Sequence, residues 1–404
     1  MGYIDATANN TLTWNQPSLK LKHPMTNTDG GKKSGKTVAI TVRQIAETAA
    51  VSVGTVSHVL NGSARVTEVR RKRVMEAIGK LGYQPSELAR GLRRNSTALL
   101  GMIIPDITNP FFPGIVRGAE DIACQSGYRL ILCNTDNDEA KELSYLNDLR
   151  SFRPSGLLII PSGPAVRGLG HSDGNVVFVD RCPVEWKGDF VTVDNEGGAY
   201  QVGRHLVGLG HRQLAIITGP LSVTSAAARL QGFKRALAES GITLGREYIQ
   251  EARFNSEGGY SAAMRLLQML PRPTAIFAAN DLLACGALAA AQHLRLGCPE
   301  DVSVAGFDNL EFVEHTAPAL TTVHQSGYQI GATACRVLLE RIADRTKSPI
   351  NLVLATELKI RNSTAPPAEV RSKDGTSENR SRVSLPHLQR QAKRLTSNPP
   401  KNLL

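Results

Sequence analysis

Several features are missing from this sequence, and each absence excludes a class of protein. The six cysteines are scattered and form no Cys-x-x-Cys pair, which favours reduced thiols in a cytosolic protein over a disulfide framework or a zinc site. No run approaches the ~20 apolar residues that a membrane span requires. The N-terminal segment contains no unbroken apolar stretch of the kind found in secretory signals. We therefore expect a cytoplasmic protein without a membrane partner.

Two motifs typical of enzymes are also absent. No G-x-G-x-x-G follows a predicted strand, and H-E-x-x-H does not occur. The six cysteines and nine histidines show no metal-ligand spacing. The sequence therefore predicts a protein that is not an enzyme and that uses neither a metal nor another cofactor.

The chain does have an excess of positive charge and enough apolar residues to build cores. Lys and Arg number 47 against 36 acidic residues, which gives a net charge of +11, and 41% of residues are hydrophobic. A charge excess of this sign suggests an anionic partner. At ~100–200 residues per domain, the length predicts two to four folded units.

Composition changes along the chain and suggests five segments. We interpret them as a disordered N-terminal extension, a helix-turn-helix head, a hinge, an α/β core and a disordered basic tail, at residues 1–37, 38–84, 85–97, 98–365 and 366–404. Translation could start at Met1 or at Met25. A heptad-like run in the tail leaves tetramer formation open, although Pro386 limits that helix to a short segment.

The helical head is expected to contain two short helices and a turn, braced by a third helix. Thr41 can cap the first helix, with Gln44 completing a capping box. Ser52 can cap the second helix, and Thr67 the third, which ends at Gly82. Two helices joined by a tight turn predict a helix-turn-helix.

The second helix of the head is expected to be the recognition helix. Its sequence, "VSVGTVSHVLNG", contains no charged residue, and Val56, Val59 and Leu60 form its buried side. Short side chains let a helix approach base edges closely in the major groove, and His58 can hydrogen-bond to a base. A protein-interaction module is the alternative interpretation of this segment alone. The DNA-contacting candidates in the head are Thr41, Arg43, Ser52, Val53, Gly54, Thr55, Ser57, His58 and Asn61.

The stretch "YQPSELARGLRRNS" after the head is too short to be a stable helix by itself. We expect it to become helical only against DNA, although a plain linker is the simpler alternative. Leu92 would then wedge into a minor-groove step, and Arg90, Arg93 and Arg94 would hold the flanking phosphates.

From Leu99 onward, short apolar runs such as "LLGMIIPD", "GLLIIPS" and "AIFAAND" alternate with amphipathic stretches. This alternation predicts parallel sheets covered by helices on both faces. Ligands of such sheets bind beyond the carboxyl ends of the strands. Polar residues recur at these ends. One of them, Asp281, is expected to be only a helix cap and not a ligand-binding residue. The full set is Asp106, Asn109, Thr135, Asp136, Asp180, Arg181, Asn280, Asp281, Asp308 and Asn309.

The order of these segments resembles the lactose-repressor (LacI/GalR) family of bacterial transcription regulators over roughly residues 39–365. The motifs that carry the resemblance include "ITVRQIAETAAVSVGTVSHVLNG", "GMIIPDITNPFF", "FAANDLLACGAL" and "PEDVSVAGFDN". The resemblance implies an all-α DNA-binding head, a hinge helix and a two-lobed core like a periplasmic sugar-binding protein. It also implies a homodimer that binds a near-palindromic operator in double-stranded DNA. When bound to DNA, the protein would be located at the nucleoid. A sugar-binding protein without DNA activity is the rival interpretation.

The resemblance also assigns an effector site for a small molecule. Polar members of the site would hold the hydroxyls of a sugar or sugar derivative, and the phenylalanines would form an aromatic wall. A purine is the alternative effector, because the head resembles that of the purine repressor. That repressor, however, has further polar groups near the position of Arg229, where this chain has Val223 and Ala226. The assigned residues are Phe111, Phe112, Asp180, Arg229, Phe254, Asn280, Asp308 and Gln325.

Two residues depart from the family's usual pattern. Ala50 stands in the helix-turn-helix turn where many members have Gly, and a left-handed Ala there would cost ~1–2 kcal/mol. Gly91 lies in the expected hinge helix, where Gly costs ~1 kcal/mol relative to Ala. The second departure would make the hinge more dependent on DNA for its helical form.

Overall fold

In the computed structural model the chain divides into two compact units, Met1–Pro85 and Ser86–Leu404. The structure describes residues 40–60, 66–83, 97–163, 169 and 175–368. The predictions for the N-terminal segment, for the tail beyond residue 368, for the hinge helix and for five DNA-contacting candidates lie outside these residues. The five candidates are Asn61, Arg90, Leu92, Arg93 and Arg94.

The head contains three helices around a small apolar core, as the sequence predicts. The helices are α1 (Val42–Thr48), α2 (Val53–Leu60) and α3 (Glu68–Leu81). The capping box of α1 is present, with the Thr41 side chain accepting from the Gln44 N–H at 3.3 Å. Thr67 is the N-cap residue of α3, as predicted, although its side chain makes no capping hydrogen bond. The core residues include Ile45, Val56 and Val74.

The turn between α1 and α2 contains a strained residue. Ala50 has a φ of 50° and therefore adopts the left-handed conformation that is unfavourable for Ala. An L-residue in the left-handed conformation costs ~1–2 kcal/mol. Gly adopts this region freely, but it increases the entropy of the unfolded chain and thereby lowers stability by ~0.4–1 kcal/mol.

We therefore expect Ala50→Gly to stabilise the head by about 0.5–1 kcal/mol, after subtracting the entropy term from the strain. Hydrogen exchange of the α1 and α2 amides in the intact protein measures the change. The neighbouring Ala49 is right-handed, at φ −82°, and Ala49→Gly serves as the control that should lower protection. Lower protection in Ala50→Gly would contradict this account of the turn.

The described residues of the core unit form two six-stranded sheets, which define two lobes. All neighbouring strands in the first sheet are parallel. In sheet order its strands are β11 (Asn351–Leu354), β5 (Asp189–Val193), β4 (Val176–Val179), β3 (Gly156–Ile159), β1 (Leu99–Ile104) and β2 (Arg129–Asn134).

The second sheet is parallel except at one edge, where the last strand pairs in the antiparallel direction. The predicted parallel architecture is therefore confirmed, with this edge strand as an addition. In sheet order its strands are β12 (Glu357–Lys359), β10 (Thr321–His324), β9 (Ser303–Asp308), β8 (Ala275–Ala278), β6 (Leu214–Thr218) and β7 (Ile249–Glu251).

Helices cover both sheets. They are α4 (Phe111–Gln125), α5 (Glu139–Phe152), α6 (Asn195–Gly208), α7 (Thr224–Ala238), α8 (Ser256–Leu267), α9 (Asp281–His293) and α10 (Gly327–Ala343). Helices α4 and α10 pack so closely that a Cβ atom on Gly331 would lie only 1.9 Å from the Ile115 carbonyl oxygen. Within the described part of the chain, no helix combines the length and apolarity needed to span a membrane.

In the part of the chain that the structure describes, the backbone crosses between the two lobes three times. The crossings follow β5, follow β10, and connect β11 to β12. At the first and third crossings, the Thr356 hydroxyl donates to the Asp194 carbonyl oxygen at 3.3 Å. Adjacent connections of this kind form a hinge about which the two lobes can move.

Candidate effector cleft and DNA-binding head

All eight residues that the family resemblance assigned to an effector site line a single cleft between the two lobes. They come from different elements, and most follow the carboxyl end of a strand, which is where parallel sheets place their ligands. Phe111, Phe112 and Asp180 belong to the first lobe, whereas Arg229, Phe254, Asn280 and Asp308 belong to the second. Gln325 lies at the second crossing between the lobes.

The guanidinium of Arg229 is buried and held in place from several sides. Its Nε donates to Asn195 Oδ1 at 2.8 Å, and its Nη1 donates to the Ala279 carbonyl oxygen at 2.6 Å. Its Nη1 lies 3.7 Å from Asp308 Oδ1, and its carbon centre lies 3.7 Å from the centroid of the Phe307 ring. The group is thus fixed before any ligand arrives, as bidentate recognition of ligand oxygens requires.

Two buried carboxylates face this guanidinium from either side of the cleft. Asp180 and Asp308 are each only 4% exposed. Burial raises the pKa of Asp180, and it raises the pKa of Asp308 well above its usual range, although Arg229 opposes both shifts. Asp308 has a φ of 118°, and backbone strain of this kind costs ~1–3 kcal/mol and clusters at functional sites.

Arg181 fills much of the space between the lobes. Its guanidinium centre lies 5.6 Å from the Phe112 ring centroid in the first lobe and 5.9 Å from the Phe254 ring centroid in the second. Its Nη1 donates to the Pro161 carbonyl oxygen at 3.1 Å. The remaining cavity has a volume of about 20 Å³, which accommodates roughly one water molecule. A larger ligand therefore requires the lobes to separate or the Arg181 side chain to move.

Among the described residues, three buried polar atoms of the cleft lining have no hydrogen-bond partner. They are Asp180 Oδ1, Gln325 Oε1 and Arg181 Nε, that is, two acceptors and one donor. Gln325 uses its other polar atom, Nε2, to donate to Asp308 Oδ1 at 2.6 Å. An unpaired buried polar group costs ~1–3 kcal/mol, so a ligand that offers hydroxyl groups would relieve this cost.

Three residues outside the assigned set also line the cleft: Asn109, Arg181 and Ser225. The sequence places Asn109 and Arg181 beyond strand ends, which is a usable signal for both. Ser225 lies four residues before Arg229 in α7, so helical spacing puts the two on the same face.

Several other strand-end residues do not belong to the cleft lining. Asp136 pairs with Lys141 at 2.5 Å, and Asp106 accepts from the Thr108 N–H at 2.9 Å. The expectation that Asp281 caps a helix is wrong, because Asn280 caps α9 by accepting from the Leu283 N–H. Asp281 is instead fully buried behind the cleft, where it accepts from the Leu310 N–H at 2.8 Å and from the Thr322 hydroxyl at 2.6 Å.

In the head, α2 presents the surface that the sequence predicts. Val56 and Val59 are buried, Leu60 is half-buried, and Val53 and His58 are exposed. The remaining candidates of this helix are the exposed Gly54 and the half-buried Thr55 and Ser57.

Two of the DNA-contacting candidates have a structural role in the head. Thr41 belongs to the α1 capping box, and the Ser52 hydroxyl accepts from the Thr55 N–H at 3.1 Å. Arg43 is exposed on α1 and forms a loose pair with Glu47 at 3.8 Å. Its guanidinium can therefore reach another anion at little cost.

Comparison with known proteins decides the family. Residues 41–86 match the model of bacterial regulatory proteins of the lacI family, and residues 204–364 match the periplasmic binding protein-like domain. The HTH-type transcriptional repressor PurR of Vibrio vulnificus is 36% identical over 326 residues, which cover 80% of this chain and 98% of that protein. The chain belongs to the LacI family. It is a DNA-binding transcriptional repressor and not an enzyme.

Solved structures of LacI-family proteins have the same architecture. The lac repressor dimer bound to operator and the anti-inducer ONPF is 27% identical, with a TM-score of 0.70, and the match covers 81% of this chain and 99% of that one. A LacI-family regulator from Enterococcus faecium with bound ribose is 32% identical, with a TM-score of 0.59, and covers 66% and 99% of the two chains.

One string in this LacI-family repressor has the spelling of a nucleotide-binding loop. "GGKKSGKT" (Gly30–Thr37) matches G-x-x-x-x-G-K-T, and it lies outside the described residues. The residues before it, "HPMTNTD", are polar and contain none of the apolar run that precedes such a loop. The match therefore does not indicate a nucleotide site.

Proposed function

We propose that this repressor binds its operator under the control of a small polar metabolite, a sugar or sugar derivative, held between the two lobes. The observation that carries the proposal is the convergence of the eight assigned residues on one cleft that contains unpaired buried polar atoms. A hydroxyl both donates and accepts, so adjacent hydroxyls can satisfy Asp180, Gln325 and Arg181 together. The ribose-bound relative supports a ligand of this class.

A purine is the second candidate, and two observations favour it. The curated relatives include PurR repressors, such as that of Vibrio vulnificus. The rings of Phe112 and Phe254, one from each lobe, also both lie within 6 Å of the Arg181 guanidinium, which is a flat group. Against a purine, Val223 and Ala226 are buried apolar residues near Arg229 and offer no hydrogen bond to a base.

A thermal-shift screen of pentoses, hexoses, sugar derivatives and purine bases tests this choice. We expect a sugar to raise the melting temperature of the intact protein, and we expect Asp308→Asn to remove the shift while the protein still melts cooperatively. A shift produced by purines alone would overturn the sugar class. A sugar shift that survives in Asp308→Asn would place the site elsewhere.

The operator is proposed to be a near-palindrome bound by a homodimer. One recognition helix reads only a few base pairs, whereas two helices related by a twofold axis read two half-sites. The hinge residues Arg90, Leu92 and Arg93 would connect the cleft to DNA, because movement of the lobes displaces the hinge segments of the two chains. The effector acts as an inducer or as a corepressor depending on which lobe arrangement it binds more tightly.

Within the head, we propose that His58 and Thr55 read bases while Arg43 and Asn61 hold the DNA backbone. We expect His58→Ala to change the preferred base pair at one position of each half-site by ~1–3 kcal/mol. Binding-site selection with the intact protein measures this change. Arg43→Gln is the control, since loss of a phosphate contact weakens all sequences about equally. An unchanged consensus for His58→Ala would refute the base-reading role.

A further inference from the structure

The charged groups of the cleft form two pairs. Arg181 Nε lies 3.6 Å from Asp180 Oδ2, and Arg229 Nη1 lies 3.7 Å from Asp308 Oδ1. All four side chains are at most 7% exposed, and they are the only ionisable residues in the described lining. The lining therefore has as many acidic as basic groups.

Two further carboxyl groups lie behind the lining. Glu142 is buried, accepts from the Ser162 N–H at 2.7 Å and interacts electrostatically with Arg181. Asp281 is buried on the other side and interacts with Arg229 and Asp308. Burial raises the pKa of Glu142, and it raises the pKa of Asp281 to about 7. Four carboxyl groups thus surround two guanidinium groups.

We propose that the cleft selects an uncharged effector and discriminates against anions such as sugar phosphates and sugar acids. This inference rests on the proposed function, because it concerns the same cleft. When Asp180 and Asp308 are ionised, each cation of the described lining already faces a carboxylate, so an anionic ligand would bring an additional negative charge without a partner. Charges in a water-poor site interact much more strongly than in bulk water, so this mismatch is expensive.

The cleft is unfavourable to anions whichever way it opens. If the lobes separate and Arg181 stays in place, the four lining charges remain around the ligand. If Arg181 instead turns out of its place between Phe112 and Phe254, the cleft loses a cation and becomes less favourable to anions.

Helix N-termini could also attract an anion, because their N–H groups carry partial positive charge. At this cleft, two helix starts already use their own acceptors. Asn109 Oδ1 accepts from the Phe111 N–H at 3.1 Å at the start of α4, and Asn280 Oδ1 accepts from the Leu283 N–H at 2.9 Å in α9. Helix α7 also begins here, and its N-cap Val223 provides no side-chain cap, but its partial charge of roughly +0.5 does not balance a phosphate dianion.

Calorimetry with matched ligands tests the proposal. Neutral pentoses and hexoses are compared with their phosphate monoesters and their carboxylic acids, using the intact protein. For a sugar that binds, we expect the Kd of the neutral compound to be lower by at least about 10-fold than the Kd of its phosphate or its acid. The reason is that like-charge juxtaposition in an interface costs several kcal/mol.

Asp180→Asn separates charge from shape. It removes one negative charge from the cleft, so we expect the preference for the neutral ligand to narrow by roughly 5-fold or more. Asp136→Asn is the matched control, because Asp136 also follows a strand but faces Lys141 outside the cleft. It should leave the preference unchanged, and both variants should melt cooperatively.

Tighter binding of a phosphate or an acid than of its neutral partner would overturn the inference and leave the effector cleft intact. An unchanged preference in Asp180→Asn would also overturn it. If no neutral or anionic compound binds, or if binding is the same in Arg229→Met as in the wild type, the proposed function is refuted instead.

Discussion

Replacing Arg229 with methionine should abolish the response to the effector and destabilise the core by about 3–5 kcal/mol, the usual effect of breaking a buried ion pair. The methionine retains much of the volume but loses the hydrogen bonds to Asn195 and to the Ala279 carbonyl, and it leaves Asp308 without its cation. Effector affinity should fall by about 10- to 100-fold or more, since hydrogen bonds to charged groups contribute ~1.5–3 kcal/mol each. Urea unfolding and calorimetry measure the two effects.

Two further variants make this expectation specific. Arg229→Met combined with Asp308→Asn removes the unpaired charge, so stability should recover substantially while effector binding stays lost. Arg235→Met is the matched control on the same helix, because Arg235 is about half-exposed and pairs with Glu196 at the surface. Exposed pairs contribute ~0–1 kcal/mol. Normal effector binding by Arg229→Met would contradict the assignment of the cleft.

Replacing Leu92 with alanine should lower operator affinity by about 2–3 kcal/mol, that is, by roughly 30- to 150-fold, with less DNA bending. A leucine inserted between base steps unstacks them and kinks the duplex, and alanine is too short to do so. Fluorescence anisotropy with operator DNA measures affinity, and a gel-mobility assay of permuted fragments measures the bend.

The melting temperature of the Leu92→Ala protein should stay unchanged without DNA, and binding to random DNA should change little. Leu270→Ala is a suitable control, because Leu270 is 95% exposed on the core and has no expected DNA contact. Full operator bending by Leu92→Ala would show that the wedge lies at another residue.

The sequence carries much of the information about this cleft because the geometry of parallel sheets is general. Strands that run the same way place their carboxyl ends together, so Asp180, Asn280 and Asp308 could be expected to converge once their strands were recognised. The family resemblance added Arg229 and Gln325, which follow no recognised apolar run. The capping box at Thr41 was predictable for a different reason, since it depends on local sequence spacing alone.

Other features depend on contacts between distant segments and could not be predicted locally. The edge strands β7, β11 and β12 are short and only partly buried, so they lack the apolar run that marks a central strand. Asp281 looks like a helix cap in the sequence, but Leu310 and Thr322 arrive from later segments to hydrogen-bond it. The position of Arg181 between rings of opposite lobes likewise depends on how the lobes close.

A ligand in the cleft is expected to change the affinity of this repressor for its operator. The direct test is the Kd of the intact protein for operator DNA, at fixed salt, with and without a saturating concentration of the compound that raises its melting temperature. Coupling between sites is typically ~1–3 kcal/mol, so we expect a change of about 5- to 150-fold in the wild type and none in Arg229→Met. An operator Kd that is the same with and without the bound compound would contradict the account.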